Sequence, residues 1–320
     1  MSVINHPVSM QDGAAMTKIR ETVGVIPKGL PERVAFDELI EHTPPADGVS
    51  YQAARLEGVA GWWCRPDNAS KGGVILYLHG GAYVLGSARA YRNFVSQVAK
   101  RARCPVFIAD YALAPEHPFP CAVQDAEATY RGLVEQGFAD IALVGDSAGG
   151  GLALVLLALT ARVAREAALV RPKGAVVLSP WTDLALTGPS LQLRAEADPF
   201  LTKSALAAAA DRYLRGHDAR DPDVSPLYGD LADLPPIQIH VGEDEILFDD
   251  ARRYAEGVAA AGGKVQLHAW EGMPHVFATN IGVLQAAETA LEEIDSFLRA
   301  LPTPGRGARP NPLQQTGATA

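Results

Sequence analysis

"LVGDSAGGG", residues 143 to 151, joins an apolar run to a helix-favouring stretch through a serine that stands between glycines. Within it, residues 145–149 match the pattern G-x-S-x-G. In a sharp turn from strand to helix, small neighbours make room for the serine and expose its hydroxyl near a helix N-terminus. A glycine- and serine-rich turn without chemistry is the competing interpretation, and the flanking strand and helix disfavour it. The stretch therefore predicts a nucleophilic Ser147.

Short β-rich runs alternate with helical patterns on both sides of this turn. Strands are predicted over residues 74–79, 105–111, 141–146, 174–180, 237–242 and 264–270. Helices are predicted over residues 90–103, 121–137, 150–165, 249–262 and 283–300. Residues 51–66 alternate in a way that predicts an antiparallel opening hairpin. Apolar strands that alternate with helices are typical of a mostly parallel sheet covered on both faces, so the predicted fold class is α/β.

Two segments interrupt the alternation of strands and helices, and both resemble segments that form a lid. Residues 1–50 carry little strand pattern, and residues 181–233 contain an alanine-rich stretch. Asp198 and Pro199 predict the N-cap and first turn of a helix there. The final stretch, residues 303–320, is rich in proline, glycine and small polar residues, which predicts a mobile tail.

Composition excludes several classes of protein. The 320 residues carry a net charge of −9, which argues against a nucleic-acid surface. Three cysteines without a CxxC pair predict reduced thiols in a cytoplasmic protein, and neither a disulfide framework nor a zinc site. No apolar run reaches the roughly 18 residues of a membrane span, and the N-terminus lacks a secretory pattern. We therefore expect no metal, no nucleic acid and no membrane partner.

A serine hydroxyl is a weak nucleophile at neutral pH and needs a base, which in turn needs an orienting carboxylate. Asp244 follows the strand predicted at 237–242, and His275 follows the next strand after a Gly-Met-Pro turn. Both come after Ser147 in the order acid, then histidine. Four neighbouring acids remain open as alternatives to Asp244: Glu243, Glu245, Asp249 and Asp250. His240 and His268 fall within predicted strands and are interpreted as structural.

Attack on a carbonyl creates an oxyanion, which backbone N–H groups stabilise. The loop "HGGA" follows the strand predicted at 74–79. Small residues there allow a substrate oxygen to approach the backbone closely. We expect His79 to brace this loop. The expected N–H donors are Gly80, Gly81, Ala82 and Ala148.

The chain resembles the hormone-sensitive-lipase-like esterases, the bacterial family IV branch of the α/β-hydrolases, from about residue 50 to residue 300. The resemblance depends on six motifs in order: "HGGA" (79–82), "DYALAPEHPFPCAVQDA" (110–126), "GDSAGGG" (145–151), "LSPWTDL" (178–184), "DEILFDDA" (244–251) and "MPHVF" (273–277). It implies Ser147 as nucleophile, His275 as general base and acid, and Asp244 as the orienting carboxylate. Where family members often have HGGG, this chain has Ala82, whose amide still donates and whose methyl group narrows the acyl pocket.

The resemblance also implies an α/β-hydrolase fold with a helical cap. The implied organisation is residues 1–50 as the N-terminal part of the cap, 51–180 and 226–302 as the catalytic domain, 181–225 as a cap insertion, and 303–320 as a flexible tail. The loop from Tyr111 to Pro120 is expected beside the site, where it holds the HGGA loop. Glu116 and Asp146 are interpreted as structural. Three side chains are expected to contact substrate: Tyr83, Trp181 and Phe200.

The resulting hypothesis is a serine carboxylic-ester hydrolase for short- to medium-chain esters, without a cofactor. A lactone hydrolase similar to enzymes that open monoterpene ε-lactones uses the same chemistry and stays open. A binding-only protein of this fold is disfavoured because His275 is present, and a peptidase is disfavoured because 320 residues leave no recognition domain. The expected assembly is a monomer or a homodimer, the latter through an edge strand near 264–270.

Overall fold

The computed structural model describes residues 1–22, 31–70, 72–166 and 170–302. The predicted tail at 303–320 lies outside the described residues. The strands are β1 (Ser2–His6), β2 (Val49–Leu56), β3 (Val59–Pro66), β4 (Gly73–Leu78), β5 (Val106–Ala109), β6 (Asp140–Asp146), β7 (Gly174–Leu178), β8 (Ile237–Gly242) and β9 (Val265–Trp270). The helices are α1 (Met10–Thr22), α2 (Glu32–Glu41), α3 (Arg92–Ala102), α4 (Cys121–Glu135), α5 (Ser147–Glu166), α6 (Ser190–Leu193), α7 (Lys203–Leu214), α8 (Phe248–Ala260) and α9 (Gln285–Ala300).

Within the described ranges the nine strands form one sheet in the order β1-β9-β8-β7-β6-β4-β5-β3-β2. Neighbours are parallel from β1 to β5 in that order, and β3 pairs antiparallel with both β5 and β2. This confirms the mostly parallel α/β sheet and the opening hairpin. Parallel strands place their carboxyl ends at one edge, where ligands bind in open α/β sheets.

The sheet is covered on both faces because alternate residues of its strands point in opposite directions. Leu76 and Leu78 of β4 belong to the core under α4, α5 and α8, whereas Ile75 and Tyr77 belong to the core under α3 and α9. All four side chains are at most 2% exposed. The near-continuous apolar character of the strands, visible in the sequence, follows from this two-sided burial.

The N-terminal segment differs from its prediction. β1 pairs in parallel with β9, from Ser2 opposite Gln266 to His6 opposite Trp270. Part of the segment assigned to the cap therefore belongs to the central sheet. β9 lies between β1 and β8 and is not an edge, so the expectation of a free edge strand near 264–270 is wrong. Five polar and apolar residues without clear alternation carry too little pattern to reveal such a strand.

The largest differences in helix starts are at α5 and α7. α5 begins at Ser147 itself and not near Gly150. α7 begins at Lys203, where the Thr202 side chain accepts a hydrogen bond from the Ala205 N–H at 3.2 Å. The predicted cap Asp198 instead accepts the N–H groups two and three residues ahead, and these bonds close a turn before the helix. The assignment of 181–225 as a separate cap stays a prediction.

Among the described residues no helix is both long and apolar enough to cross a membrane. Cys64, Cys104 and Cys121 are free thiols, and Cys64, on β3, is fully buried against α3. Burial raises the pKa of the Cys64 thiol to about 12 and that of Cys104 to about 11. Such thiols are inert packing groups at neutral pH.

Candidate active site

Ser147 stands where β6 turns directly into α5. Its φ of +52° lies in the left-handed region, which costs energy for a residue with a side chain. The turn is so tight that a Cβ on Gly149 would lie 2.1 Å from the Leu78 carbonyl oxygen and 2.3 Å from that of His79. Only glycine fits there. The strained turn holds the Ser147 hydroxyl at the carboxyl edge of the sheet, beside the N-terminus of α5.

His275 reaches this hydroxyl from the loop that follows β9. Its Nε2 lies 2.9 Å from Ser147 Oγ, which is hydrogen-bond distance for a hydroxyl donor and an imidazole acceptor. The His275 side chain is 10% exposed and Ser147 is 8% exposed as a residue. The pair that the sequence motifs predicted is therefore brought together, although the two residues lie 128 positions apart.

The carboxylate on the other side of His275 belongs to Glu245. Glu245 Oε2 lies 2.7 Å from His275 Nδ1, and the Glu245 side chain is fully buried. Asp244, the predicted partner, forms a salt bridge with Arg20 of α1 at 2.8 Å, with 29% of its side chain exposed. The prediction that Asp244 orients the histidine is therefore wrong in this structure, and one of the alternatives left open by the sequence, Glu245, occupies the position.

Backbone geometry explains the difference between the two acids. After β8 ends at Gly242, the Asp244 N–H donates to the Met273 carbonyl at 3.1 Å, which turns the Asp244 side chain outward. The Glu245 carboxylate folds back, and its Oε1 accepts the Gly242 N–H at 2.6 Å. One signal in the sequence points to Glu245: two apolar residues, Ile246 and Leu247, follow it directly, and the structure buries both side chains completely.

Burial and neighbouring charge act in opposite directions on His275. Burial alone lowers the pKa of the imidazole, but the hydrogen bond and negative charge of Glu245, with the charges of Asp198 and Asp146, raise it above the ordinary histidine value. The carboxylate also binds the Nδ1 proton, which leaves Nε2 as the acceptor that faces Ser147. The arrangement suits a base that accepts a proton from the serine.

The HGGA loop bends sharply toward α5. Gly81 has a φ of +117°, and Ala82 and Tyr83 have φ values of +53° and +63°. The N–H groups of Gly81 and Ala82 donate to no acceptor among the described residues. The Ala148 N–H belongs to the first turn of α5, where helix geometry leaves it without an intrahelical partner. These three donors remain candidates for an oxyanion hole.

Gly80 does not share this property. Its N–H donates to Asp146 Oδ1 at 2.9 Å and is already engaged. The same carboxylate accepts the Tyr77 hydroxyl at 2.7 Å and the Tyr91 hydroxyl at 2.9 Å. The prediction that the Gly80 N–H is an oxyanion donor is therefore wrong, and this amide anchors the HGGA loop instead. Asp146, interpreted from the sequence as structural, ties the HGGA loop to the turn that carries Ser147.

His79 braces the same loop from the other side. Its Nδ1 lies 2.8 Å from the Gly80 carbonyl oxygen, and its ring stacks on Tyr111 with centroids 4.4 Å apart. The Tyr111 hydroxyl donates to the His79 carbonyl at 2.6 Å. Farther along, the Ala114 N–H donates to the Tyr83 carbonyl at 2.9 Å. The loop from Tyr111 to Pro120 thus contacts the HGGA loop as the resemblance implied.

Glu116, on that loop, pairs with Arg33 of α2 at 2.6 Å. Arg33 also donates to the Val84 carbonyl at 2.8 Å and to the Ala114 carbonyl at 2.9 Å. Both partners of the ion pair are more than 40% exposed, so solvent screens their attraction and the pair adds little to stability. The contacts support the structural interpretation of Glu116.

Two of the three expected substrate contacts lie beside the first turns of α5. The Trp181 N–H donates to the Ser147 carbonyl at 3.0 Å, and a Cβ on Gly151 would lie 3.3 Å from the Tyr83 hydroxyl. Tyr83 stacks on Tyr213 of α7 with centroids 4.0 Å apart, and both rings are buried. Phe200, by contrast, is 42% exposed between α6 and α7, and no described contact joins it to the site.

The strand histidines lie apart from Ser147. His268 Nδ1 is 3.0 Å from His6 Nε2, and His240 Nδ1 accepts the Trp270 indole N–H at 3.2 Å. They form a stacked row across β1, β9 and β8, which agrees with their structural interpretation. Within the described ranges, no group of three or more His, Cys, Asp or Glu side chains is arranged to hold a metal ion.

Known proteins of the α/β-hydrolase fold match most of this chain. The family model described as "alpha/beta hydrolase fold" matches residues 75–279. The chain is 40% identical to an acetyl-hydrolase of Streptomyces hygroscopicus over 84% of its own length and 89% of that protein. It is 37% identical to an esterase of Acinetobacter venetianus over 84% of its length and 88% of that protein.

Solved structures resemble it as closely. A crystal structure of an esterase from the bacterial hormone-sensitive lipase family matches with a TM-score of 0.84 at 37% identity, covering 92% of this chain and 99% of that one. A hormone-sensitive lipase from a metagenome library matches with a TM-score of 0.85 at 36% identity, over 92% and 99%. The chain belongs to the hormone-sensitive lipase family of the α/β-hydrolase fold and is a carboxylesterase.

Proposed function

We propose that this esterase hydrolyses short- to medium-chain carboxylic esters through a Ser147–His275–Glu245 triad. The observation that carries the proposal is the continuous hydrogen-bonded series from Ser147 Oγ to His275 Nε2 at 2.9 Å and from His275 Nδ1 to Glu245 Oε2 at 2.7 Å. A nucleophile, a base and a group that orients the base are the parts that acyl transfer to serine requires.

In the first half of the reaction, Ser147 Oγ attacks the acyl carbon while His275 Nε2 takes the hydroxyl proton. Glu245 stays ionised and stabilises the imidazolium that forms. The tetrahedral intermediate collapses when its carbon–oxygen bond to the alcohol breaks, and His275 returns the proton to the departing oxygen. The products of this half are the free alcohol and an acyl group on Ser147.

The oxyanion of that intermediate lies against backbone N–H groups. We assign this role to the amides of Gly81 and Ala82, for which the described residues provide no other acceptor, and to the amide of Ala148 in the first turn of α5. Each donor of this kind contributes roughly 3–4 kcal/mol to catalysis in other acyl-transfer enzymes. Asp146 and His79 hold the loop that supplies two of them.

The second half repeats the first with water in place of serine. His275 Nε2 accepts a proton from water as its oxygen attacks the acyl carbon, and then returns a proton to Ser147 Oγ as the acyl–serine bond breaks. The carboxylic acid leaves and the enzyme is restored. His275 carries each proton that is transferred, the second hydrogen of the water leaves with the acid, and no cofactor is needed.

Bulky side chains beside the nucleophile support a limit on acyl size. Tyr83 is 1% exposed and Trp181 is fully buried, with ring centroids 6.3 Å apart, so both rings pack in the core beside the first turns of α5. The Ala82 methyl group occupies further volume in the HGGA loop. A relative named as an acetyl-hydrolase agrees with a short acyl group.

The test is a hydrolysis screen of p-nitrophenyl esters from acetate to palmitate, with ε-lactones included because ring opening needs the same attack. Turnover is expected to be highest for short and medium chains and to fall for the longest. Ser147→Ala should lower kcat by about 10³-fold or more, whereas Ser50→Ala, on β2, should match the wild type. Near-normal turnover by Ser147→Ala would refute the mechanism, and faster lactone than ester hydrolysis would reassign the substrate.

We further infer a cytoplasmic location and a monomer or homodimer. Three unpaired cysteines support the first inference. The second is supported by β1, an outer strand of the sheet whose Val3 is 49% exposed. Light scattering during size-exclusion chromatography distinguishes the two assemblies, and a larger particle would refute both.

A further inference from the structure

Ser179 lies between the two loops that hold the histidine and its carboxylate, and the proposed mechanism gives it no role. It directly follows β7, and its N–H donates to the His240 carbonyl of β8 at 2.7 Å. The residue is 1% exposed, and its φ of +47° lies in the left-handed region. A non-glycine residue held in that region marks a position where the surrounding structure imposes a strained conformation.

The Ser179 hydroxyl makes two hydrogen bonds, one to each loop. It donates to Glu245 Oε1 at 2.8 Å, and it accepts the Val276 N–H at 3.0 Å. A hydroxyl has one hydrogen to donate, and here that hydrogen is used on the carboxylate. Val276 directly follows His275 and itself has a φ of +51°. One oxygen atom therefore connects the acid that follows β8 to the base that follows β9.

Glu245 needs this contact because a glutamate side chain has three rotatable bonds and a carboxylate that turns freely in the absence of partners. Its Oε2 faces His275, and only its Oε1 is left to be held. Two donors hold Oε1: the Gly242 N–H at 2.6 Å and the Ser179 hydroxyl at 2.8 Å. Gly242 belongs to the strand just before Glu245, whereas Ser179 comes from a different strand.

We propose that Ser179 is a positioning residue that sets the orientation of the Glu245 carboxylate and of the His275 loop at the same time. This inference rests on the proposed triad. Ser179 does not touch substrate and exchanges no proton with it. Its removal leaves the Val276 N–H without its acceptor and leaves Glu245 Oε1 with a single donor, so the Glu245 carboxylate and the His275 loop are both held less firmly.

The experiment compares Ser179→Ala with Ser179→Gly. Alanine deletes only the hydroxyl, and glycine deletes it while accepting the positive φ without strain, so the glycine variant guards against a folding defect. Ser96→Ala is the matched control: Ser96 is a fully buried hydroxyl on α3 that donates to the Asn93 carbonyl at 2.7 Å and accepts the Ala46 N–H at 2.8 Å. Folding is checked by circular dichroism and thermal melting.

Both Ser179 variants are expected to lower kcat on p-nitrophenyl butyrate by about 10- to 100-fold, with KM within about threefold of wild type, because hydrogen bonds to a charged group are lost. The acid limb of the kcat/KM profile should move to lower pH, since a loosened Glu245 raises the pKa of His275 less. Ser96→Ala should change neither quantity.

Two outcomes would overturn the assignment. One is a kcat within about twofold of wild type in both folded variants. The other is an equal loss in the Ser96→Ala control, with an unmoved acid limb. Because the proposed function is tested separately by Ser147→Ala, an inactive Ser147→Ala enzyme with normal Ser179 variants would refute only the positioning role.

Discussion

Replacing Glu245 by glutamine removes the negative charge beside His275 while it keeps the shape of the side chain. In the native site, Glu245 Oε2 lies 2.7 Å from Nδ1 and the side chain is fully buried. The amide cannot stabilise an imidazolium, and its NH2 group favours the histidine tautomer with the proton on Nε2, where it faces Ser147. Nε2 of His275 would then carry a proton of its own and could not accept the proton of the Ser147 hydroxyl.

The expected loss follows from the role of such a carboxylate in serine hydrolysis. Conversion of the triad acid to its amide in a serine protease lowers kcat by roughly 10⁴-fold. We expect about 10³- to 10⁴-fold here, which corresponds to about 4–5.5 kcal/mol of transition-state stabilisation. Asp244→Asn provides the matched control, because Asp244 is only one residue away. It loses a partly exposed bridge to Arg20, a pair of the kind that contributes about 0–1 kcal/mol.

The assay is steady-state hydrolysis of p-nitrophenyl butyrate at saturating substrate, with circular dichroism and thermal melting to verify folding of both variants. Glu245→Gln should show the large loss, and Asp244→Asn should stay within about threefold of wild type. If Asp244→Asn were crippled while Glu245→Gln turned over normally, the geometric assignment of the acid would be refuted and the expectation from loop position would be restored.

Three further perturbations test neighbouring parts of the site. Because the environment raises the pKa of His275 and the neutral form is the base, the acid limb of kcat/KM should have its midpoint above pH 6.5, and a midpoint below it would contradict the described environment. Asp146→Asn should lower kcat by about tenfold and also lower the melting temperature, since the buried acceptor of the Gly80 N–H is weakened. An unchanged kcat would show that Asp146 does not position the HGGA loop. Burial lowers the pKa of His268 to about 4, so the folded protein keeps this imidazole neutral at a pH where the unfolded chain protonates it. The contribution is complete above about pH 6.5. As the pH falls from 6.5 to 4, the free energy of unfolding decreases by up to about 1.4 kcal/mol per pH unit. Urea unfolding midpoints should drop less steeply over that range in His268→Gln, and equal slopes would contradict the burial argument.

Much of the site could be read from the sequence because its parts have a local signature. Ser147 sits in a strand-turn-helix unit whose glycines are explained by close backbone contacts, and those contacts are set within a few residues. His275 follows a strand and a proline turn and, unlike the strand histidines, has a motif around it. The carboxyl ends of parallel strands meet at one edge, so these two residues were expected together.

The choice between Asp244 and Glu245 depends on long-range hydrogen bonds that residue type does not encode. The carbonyl of Met273, 29 residues after Asp244, binds the Asp244 N–H and turns that side chain outward. Likewise, the position of Gly80 in the sequence predicts an oxyanion donor, but in the structure its N–H donates to the Asp146 carboxylate. Only the fold brings these groups to their partners.

β1 illustrates a second limit. Its five residues pair with β9 from more than 250 positions away, and they show no alternation that distinguishes a strand from a loop. Its pairing converts a predicted edge strand into an interior one and moves part of the predicted cap into the sheet. Short strands that depend on a distant partner for their hydrogen bonds carry little local signal.

Covalent labelling tests the central claim most directly. Phenylmethylsulfonyl fluoride transfers its sulfonyl group to an activated serine oxygen and releases fluoride, and peptide mapping by mass spectrometry locates the adduct. The account predicts one adduct per chain, on Ser147, with esterase activity lost in proportion to labelling and with labelling strongly slowed in Glu245→Gln. An adduct on another residue, or full activity in a chain fully modified at Ser147, would contradict it.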